Sequence, residues 1–374
     1  MNKVLIFYAS YGSGHLSAAK SVESVINEEY PNVETKLVDC MKYVNKGVEK
    51  LTTSAYSQIA KKAPWVWGKI YSASQKGVLA HISSRSNAIM AIKLLKLLRA
   101  EAPDIVISAH PFSSQMCAYL KRKGKINFTL ATIMTDFAPH DQWLVGHENT
   151  DYFFVAHDKM KQYLLSKEIP ENKVFATGIP INLRFTKEYD KKRILDQFNL
   201  KENKKTILFF GGWNSGNAQI RTLEIFKNLA ISSDNIQLVA ISAKNQKLQD
   251  GFEQIVNENN LKNVTILDYT NNVPELMSIC DLVVAKPGGL TTSETLAMNL
   301  PMIIINPIAG QEEENAEFLE EKGIGIWIRK DDDIKEKINN LLNDSEKLES
   351  MKENTKLLSH KYSSHDIISI LFNK

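Results

Sequence analysis

Two stretches of the sequence place polar side chains where a short apolar run gives way to a glycine-containing loop. In the first, the apolar residues 4–9 lead into the loop SYGSGH at 10–15, and residues 16–29 have helical periodicity. A histidine at the start of a helix, here His15, can act as a general base near neutral pH because the ordinary histidine pKa is about 6.5. The alternative is that His15 only caps the turn.

The second stretch, residues 281–315, carries more candidates. It is typical of two buried parallel strands around a glycine turn and a helix that begins with hydroxyl residues at Thr291. Nucleotides and phosphates bind where a strand of an α/β sheet meets a helix N-terminus. Glu294 lies about one turn after Thr291, so its carboxylate could accept both hydrogen bonds of a ribose diol, and Gln311 and Glu312 could hold sugar hydroxyls. The competing interpretation is a capping box, Thr-x-x-Glu, in an ordinary strand-turn-helix.

Length and composition are those of a globular protein. The chain has 374 residues, enough for two domains, with 43% hydrophobic and 24% charged residues. No apolar run approaches the roughly 18–20 residues that span a bilayer, and we expect no signal peptide. Cys40, Cys117 and Cys280 are far apart and form no C-x-x-C, which argues against disulfides and a zinc site and for a reducing cytoplasm.

Charge is distributed unevenly. Residues 1–183 hold 22 Lys and Arg against 15 Asp and Glu, a net of +7, and the remainder holds 24 against 28, a net of −4. Residues 51–100 contain eight Lys or Arg and no acid. This segment includes Lys61, Lys62, Trp65, Trp67 and Lys69.

Tryptophan favours the lipid headgroup region and lysine attracts anionic lipid, so this segment predicts docking to a membrane surface. A helix that packs on the core with a solvated basic face is the alternative. A nucleic-acid groove would also combine basic and aromatic side chains, but no recognised nucleic-acid module is present.

The chain consists of two successive series of strands and helices, with a boundary near residue 183. Strands are predicted at 4–9, 35–39, 104–108, 129–134, 152–156, 174–177, 206–210, 237–242, 264–268, 282–285 and 301–305. A helix is predicted at 89–99, and the chain is helical beyond residue 331. Besides His15, the histidines His110 and His140 follow predicted strands, where α/β folds place their sites. His147 and His157 fit no such pattern and are interpreted as structural.

The motifs of both halves resemble the family of monogalactosyldiacylglycerol synthases and processive diacylglycerol glucosyltransferases. They are YGSGH at 11–15, TDF-x-x-H-x-x-W at 135–143, TGIPI at 177–181, KPGG-x-T-x-x-E at 286–294 and GQE-x-x-N at 310–315. The resemblance implies an α/β fold of the GT-B class, with two Rossmann-like domains facing each other across a cleft, and C-terminal helices. Residues 1–183 would form the acceptor and membrane-docking domain and 184–374 the UDP-sugar domain, with the last helix able to return to the first domain.

The resemblance also implies roles for single residues. Glu294 would hold the ribose, and Gln311 and Glu312 would hold the hexose. Gly211, Gly212 and Thr291 would contact the diphosphate, and the further donor-binding candidates are Gly14, Asn214, Lys286, Gly288, Gly289 and Asn315. The acceptor cleft would be lined by His110, Asp136, His140 and Trp143. The loop GGWNSG at 211–216 is less dense in glycine than its counterpart in related plant enzymes, which leaves open which backbone amides reach the phosphates.

The activity implied is inverting transfer of a hexose, with glucose preferred and galactose possible, from a UDP-sugar to diacylglycerol at the cytoplasmic membrane face. The product would carry one or two sugars. His15 is the candidate catalytic base, and a carboxylate that orients it cannot be identified from the sequence. We expect no cofactor and no metal, since no Asp-x-Asp follows a strand and Asp331–Asp333 is predicted to begin a surface helix.

Three alternatives remain at this stage. The first is a transferase that acts on a lipid-diphosphate-linked cell-wall precursor, as the related peptidoglycan N-acetylglucosaminyl transferase does. The second is a non-catalytic regulator that binds a sugar nucleotide. The third is a nucleic-acid-binding protein, which the basic first half would permit and the acidic second half disfavours.

Overall fold

The computed structural model describes residues 2–10, 14–44, 78–212 and 216–373, with the backbone alone for residues 78–89. These residues form two compact units. The first unit takes the chain up to Leu183, the loop Ala309–Gln311 and the C-terminal residues from Tyr362, and the second takes Arg184–Ile308 and Glu312–Lys361. Each unit is built on its own parallel β-sheet.

The sheet of the first unit has six described strands in the order β2-β1-β3-β4-β5-β6, all paired in parallel. The strands are Lys3–Tyr8 (β1), Glu34–Asp39 (β2), Ile105–Ser108 (β3), Thr129–Ile133 (β4), Tyr152–Val155 (β5) and Val174–Ala176 (β6). The order reverses at β1, which has β2 on one side and β3 on the other. Ligands of such sheets bind outside the carboxyl ends of the strands at a reversal of this kind.

Helices cover both faces of this sheet. They are Gly14–Glu29 (α1), Cys40–Val44 (α2), Val78–Glu101 (α3), Pro111–Arg122 (α4) and Asp158–Ser166 (α5), with 3-10 helices at Asp141–Leu144, His147–Asn149 and Glu171–Lys173. Alternate residues of β1 enter different cores: Val4 and Ile6 pack with α1, whereas Leu5 and Phe7 pack with α3 and α4. Burial on both faces explains why β1 is a continuous apolar run rather than an alternating one.

The sheet of the second unit also has six described parallel strands, in the order β12-β11-β10-β7-β8-β9. The strands are Lys205–Phe210 (β7), Ile236–Ile241 (β8), Val264–Leu267 (β9), Leu282–Ala285 (β10), Met302–Ile304 (β11) and Gly325–Trp327 (β12). This is the strand order of the dinucleotide-binding fold, with the reversal between β7 and β10. The three-residue strand β12, which begins with Gly325, was not predicted.

Eight helices of the described chain belong to this part of the sequence. They are Lys191–Gln197 (α6), Asn217–Ala230 (α7), Gln246–Glu258 (α8), Val273–Ile279 (α9), Gly289–Ala297 (α10), Gln311–Glu321 (α11), Ile334–Leu342 (α12) and Ser345–Leu357 (α13), and a 3-10 helix spans Leu183–Thr186. Asp333 caps α12 by accepting the backbone N–H of Glu336, as the prediction of a helix beginning at Asp331–Asp333 requires. Phe209, Phe226 and Phe252 pack against one another in the core.

The last helix, Ser363–Phe372 (α14), groups with the first unit. Its residues Ile367, Ile368 and Leu371 are buried in the core to which α1 contributes. The Ser363 hydroxyl donates to the carbonyl of Ile179, 2.9 Å away, in the loop after β6. The end of the chain is therefore an integral layer of the first unit.

Candidate active site

The carboxyl end of the first sheet brings together residues that are far apart in the sequence. His15 lies in the first turn of α1, Ala109 and His110 follow β3, and Thr135 follows β4. Because β1, β3 and β4 are neighbours, these residues meet at the strand reversal. The His15 Nδ1 atom lies 2.9 Å from the Ala109 carbonyl oxygen and 2.9 Å from the Thr135 hydroxyl oxygen. The His15 and His110 rings pack edge to face with centroids 4.7 Å apart.

These contacts define the protonation of His15. A carbonyl oxygen can only accept, so the 2.9 Å contact with Ala109 places a hydrogen on Nδ1 and leaves the lone pair on Nε2. Within the described part of the chain, Nε2 has no hydrogen-bond partner. Burial lowers the pKa of His15 to about 4, against the opposing effect of the bond to Ala109. At neutral pH the ring is therefore uncharged, with a basic nitrogen available.

Three other histidines of the first unit have the opposite arrangement. Each precedes a helix or 3-10 helix and accepts a backbone N–H through Nδ1: His110 from Phe112, His140 from Gln142 and His157 from Met160. An Nδ1 that accepts leaves the ring hydrogen on Nε2, and His157 donates that hydrogen to the carbonyl of Phe137 at 2.8 Å. Burial also lowers the pKa of His110 and of His140. In their neutral form these rings offer an N–H donor rather than a base.

Asp136 and Trp143, both predicted to line the acceptor cleft, contact each other. The Trp143 indole donates to the Asp136 carboxylate at 2.8 Å, and the Gln311 amide, which groups with the first unit, donates to the other oxygen. Trp143 is only 2% exposed and Asp136 only 8%. The Trp143 indole and the Gln311 amide therefore both help to orient the Asp136 carboxylate.

The loop after β7 requires glycine at two positions for different reasons. A Cβ on Gly211 would lie 2.2 Å from the Leu248 Cδ2 atom and 3.1 Å from the Ile241 carbonyl oxygen, so packing excludes a side chain. Gly212 has φ +68°, in the left-handed region that favours glycine. The backbone at Gly211 can therefore pass close to β8, and the turn begins at Gly212.

Helix α10 follows β10 and has an open N-terminus. Gly288 occupies the N-cap position and no side chain caps the helix, so the expected start at Thr291 is wrong: the helix begins at Gly289. Thr291 lies inside the first turn, and no capping box with Glu294 forms. Uncapped helix amides and the helix dipole favour an anion at this point. Lys286, at the end of β10, is partly exposed and has no ion-pair partner among the described residues.

Several polar atoms around α10 lack partners in the described structure. The Glu294 carboxylate has no hydrogen bond there, and burial raises its pKa to about 8. The Thr292 hydroxyl and the Asn315 Oδ1 atom are buried and also unpaired. The Asn315 amide nitrogen donates to the Pro287 carbonyl at 2.8 Å, so Asn315 fixes the loop that precedes α10.

Glu312, predicted to hold the hexose, already uses one carboxylate oxygen within the protein. Its Oε2 atom accepts the backbone N–H of Ile308 at 2.7 Å. Its Oε1 atom lies 4.0 Å from the position that a Cβ on Gly288 would occupy. One oxygen of Glu312 thus remains beside the α10 N-terminus. Gly14, a further donor-binding candidate, is the first residue of α1.

Some predicted residues lie outside the described ranges. They are Asn214 of the donor set, loop residues 11–13, and the membrane candidates Lys61, Lys62, Trp65, Trp67 and Lys69. Among the residues that are described, no cluster of three or more His, Cys, Asp or Glu could hold a metal ion. No described helix is both long and apolar enough to cross a membrane.

The sequence did not identify Ala109 and Thr135 as partners of His15. An orienting carboxylate was considered, but in the described structure a carbonyl and a hydroxyl occupy the positions around Nδ1. Thr135 does stand in the TDF motif directly after a predicted strand. Its contact with His15 depends on the strand order, which the sequence does not reveal.

Each of the two α/β units has candidate groups at its strand reversal. Two units with these strand orders make up the GT-B fold of glycosyltransferases. Residues 15–181 match the family model of monogalactosyldiacylglycerol (MGDG) synthase, and residues 190–358 match that of glycosyl transferases group 1. The processive diacylglycerol β-glucosyltransferase of Bacillus pumilus is 32% identical over 372 residues, which cover 98% of this chain and 93% of that protein. The chain belongs to this family of diacylglycerol glycosyltransferases, which confirms the resemblance read from its motifs.

Solved structures confirm the fold class at much lower identity. The UDP-GlcNAc 2-epimerase from Neisseria meningitidis bound to UDP-GlcNAc aligns over 100% of both chains with a TM-score of 0.66 and 16% identity. MurG of Acinetobacter baumannii aligns over 100% of both chains with a TM-score of 0.61 and 12% identity. At such identities the likeness concerns the fold.

Proposed function

We propose that this enzyme transfers a hexose, with glucose preferred over galactose, from a UDP-sugar to diacylglycerol with inversion at the anomeric carbon. The name of the Bacillus pumilus relative supports the acceptor and the preference for glucose. The UDP-GlcNAc bound to the Neisseria meningitidis epimerase, which shares the fold, supports a uridine nucleotide sugar as donor. The observation that carries the chemistry is a neutral His15 whose Nε2 lone pair has no partner in the described structure.

The donor half of the proposal rests on the unpaired groups around α10. Glu294 would accept both hydroxyls of the ribose, because no described protein group occupies its carboxylate. The amides at Gly288 and Gly289, together with Lys286, Thr291 and the glycine loop after β7, would bind the diphosphate. Gln311 and the remaining oxygen of Glu312 would bind hexose hydroxyls, and Asn315 would hold the loop in place.

In the proposed reaction, His15 Nε2 takes the proton of the diacylglycerol hydroxyl as its oxygen attacks the anomeric carbon. The new C–O bond forms as the bond from that carbon to the β-phosphate oxygen breaks. The electron pair leaves with UDP, and the helix amides and Lys286 stabilise its charge. His110, His140 and Asp136 would contact the acceptor, and only His15 presents a basic nitrogen among them.

The acceptor resides in a bilayer, so the enzyme must dock to it. The proposed docking residues are the lysines and tryptophans of 61–69. Replacing Trp65 and Trp67 by Ala should weaken co-sedimentation with vesicles that contain anionic lipid, and binding of the native protein should fall as salt is added. Replacing the exposed Lys201 and Lys205 of the second unit by Ala serves as the control. If vesicle binding changes neither with salt nor on replacement of the two tryptophans, residues 61–69 are not the docking residues.

One assay tests the proposed function as a whole. The protein is incubated with UDP-glucose or UDP-galactose and vesicles that contain diacylglycerol, and the glycolipid is identified by mass spectrometry and by its anomeric configuration. We expect β-glucosyldiacylglycerol with one or two sugars, and UDP release in proportion. Transfer only to a lipid-diphosphate-linked precursor, or donor binding without UDP release, would contradict the proposal.

A further inference from the structure

We infer that Gln115, a buried residue of α4, is a positioning residue that holds the 3-10 helix Asp141–Leu144 in place. This helix contains Trp143 and follows His140, two of the residues expected to line the acceptor cleft. The inference rests on the proposed function and deepens it, because it states how the acceptor side of the site is held. Gln115 lies outside every motif on which the family resemblance rests, so the sequence alone did not indicate it.

The 3-10 helix is too short to fix its own position. A run of four residues closes only about one or two i→i+3 hydrogen bonds, fewer than the ordering of its backbone requires. Side chains of the neighbouring helices must therefore hold it. One is Tyr163 of α5, whose hydroxyl donates to the Asp141 Oδ1 atom at 2.7 Å. The contact from α4 is made by Gln115.

The Gln115 amide grips the backbone of the 3-10 helix. Its Nε2 atom lies 2.7 Å from the backbone carbonyl oxygen of Gln142 and 3.2 Å from the Gln142 Oε1 atom. A carbonyl oxygen can only accept, so the amide nitrogen and not the amide oxygen must face it. Because the shorter contact is to the backbone, it fixes the course of the chain rather than the orientation of one side chain.

The surroundings of Gln115 indicate that its amide is there for this contact. Gln115 is 4% exposed and Gln142 is 9% exposed, and the next three residues of α4, 116–118, are apolar and buried. An apolar side chain at position 115 would avoid the cost of burying an amide. It would also leave the buried carbonyl of Gln142 without this donor, and an unpaired buried carbonyl is costly in turn.

The position of Gln142 determines the position of both of its neighbours in the cleft. The Gln142 N–H donates to Nδ1 of His140 at 3.1 Å, so the ring of His140 follows the backbone of Gln142. Trp143 is the next residue, and its indole donates to the Asp136 carboxylate at 2.8 Å. A displacement of Gln142 would therefore move His140 and Trp143 together and release Asp136.

The test compares Gln115→Met, which keeps the length of the side chain but removes the donor, with Ser114→Ala as the matched control. Ser114 is also buried in α4, and its 2.6 Å hydrogen bond is to Thr132 of β4 rather than to the 3-10 helix. At saturating UDP-glucose, kcat/KM for diacylglycerol in vesicles should fall about tenfold in Gln115→Met, close to the net worth of one hydrogen bond. The dissociation constant for UDP should stay within about twofold, and Ser114→Ala should leave both values unchanged.

A second measurement reports on the segment without any transfer reaction. The protein is labelled with ¹⁵N-tryptophan, and the indole signal of Trp143 is assigned by its loss in Trp143→Phe. The indole hydrogen is bonded to Asp136 and Trp143 is only 2% exposed, so exchange of this hydrogen with solvent should be slow in wild type and in Ser114→Ala. In Gln115→Met it should be about tenfold faster, because local opening of the segment becomes easier.

Native exchange at Trp143 in Gln115→Met overturns the inference, and so does faster exchange with an unchanged kcat/KM. Equal changes in Gln115→Met and Ser114→Ala also overturn it, since any lost polar contact of α4 would then have the same effect. If Gln115→Met does not fold, Gln115→Asn, whose amide is one methylene shorter, replaces it with the same expectations. Failure of the proposed function has a different signature: the Trp143 signal responds to Gln115→Met, but the wild-type protein transfers no hexose to diacylglycerol.

Discussion

The carboxyl edges of the two sheets are built from the same kind of strand reversal but treat their polar groups in opposite ways. At the first edge, His15, His110, His140 and Asp136 all have hydrogen-bond partners within the protein. At the second edge, Glu294, Lys286 and the N-terminus of α10 have none among the described residues. Burial of an unpaired carboxylate is costly, as the raised pKa of Glu294 reflects, so a ligand that pairs with Glu294 would stabilise the second edge.

The contrast fits two different tasks. A catalytic group must be held in one orientation and one protonation state before substrate arrives, which internal hydrogen bonds achieve. A group that binds a ligand is most effective if it has no hydrogen-bond partner within the protein, because the ligand then supplies that partner. The first edge is therefore suited to chemistry on the acceptor and the second to capture of the donor. The following predictions test this division.

The largest effect should come from His15. Replacing it with Ala removes the only nitrogen lone pair of the first edge that the described structure leaves open, and kcat should fall by roughly 10²–10⁴-fold, the usual contribution of a general base. The dissociation constant for UDP, measured by calorimetry, should stay within about twofold because the groups proposed to bind the ribose and diphosphate, Glu294 and Lys286 among them, belong to the second unit. His157→Asn, which removes a ring that caps α5 and donates to the Phe137 carbonyl but offers no open lone pair, is the matched control. A variant that loses UDP binding and turnover together would contradict the division.

An intermediate effect is expected at Glu294. Charge-assisted hydrogen bonds are worth about 1.5–3 kcal/mol, so Glu294→Gln should weaken UDP binding about tenfold or more at pH 9. Because burial raises the pKa of Glu294 to about 8, the free carboxyl is largely protonated at pH 7. Binding a diol to the ionised form must then release a proton, and UDP affinity should rise with pH up to about 8.

Calorimetry in buffers of different ionisation enthalpy measures that proton release. Glu294→Gln should abolish both the release and the pH dependence, whereas Glu317→Gln, an exposed carboxyl on α11, should change neither. Affinity that is flat between pH 6 and 8 in the native protein would show that Glu294 does not meet the ligand as a carboxylate.

The smallest effect concerns the stability of the first edge. Burial lowers the pKa of His15 to about 4 and that of His110 well below its ordinary value, so the folded state keeps both rings neutral. Below pH 6.5 the unfolded chain binds protons that the folded chain does not, and the free energy of unfolding decreases as pH falls. Each such histidine contributes about 1.4 kcal/mol per pH unit in that range.

Urea denaturation at pH 7.0 and 5.0 measures this loss. His110→Asn keeps a side-chain acceptor for the backbone N–H of Phe112 but cannot titrate, so the difference between the two pH values should shrink. An unchanged difference would assign the acid sensitivity to other groups.

Most of the strands could be predicted from the sequence. Their order in the two sheets, and the contacts that depend on that order, could not. Buried parallel strands are short apolar runs, which is why 282–285 was predicted with its observed bounds and most others to within one residue. The helix predicted at 89–99 is Val78–Glu101 in the structure, and β12, which begins with a glycine, was not predicted. The roles at Glu294 and His15 could be proposed because each residue lies near the start of a helix that follows a predicted strand and a glycine loop.

The contacts within the candidate site join residues that are distant in the sequence, so they could not be predicted from it. His15 meets Thr135 across 120 positions of sequence, and the meeting depends on β3 and β4 following β1 in the sheet. Hydrophobic periodicity contains no information on strand order. The missing capping box at Thr291 has a local cause, since glycine at 288 and 289 lets the helix begin two residues earlier.

The return of α14 to the first unit has a practical consequence for dissecting this enzyme. In chain connectivity, the whole of the second unit lies between Leu183 and Tyr362. A fragment that ends at Leu183 would uncover Ala19, Val22 and Ile26, because Ile367, Ile368 and Leu371 would be gone. A fragment meant to isolate the first unit should therefore carry residues 362–373, joined to it through a short linker.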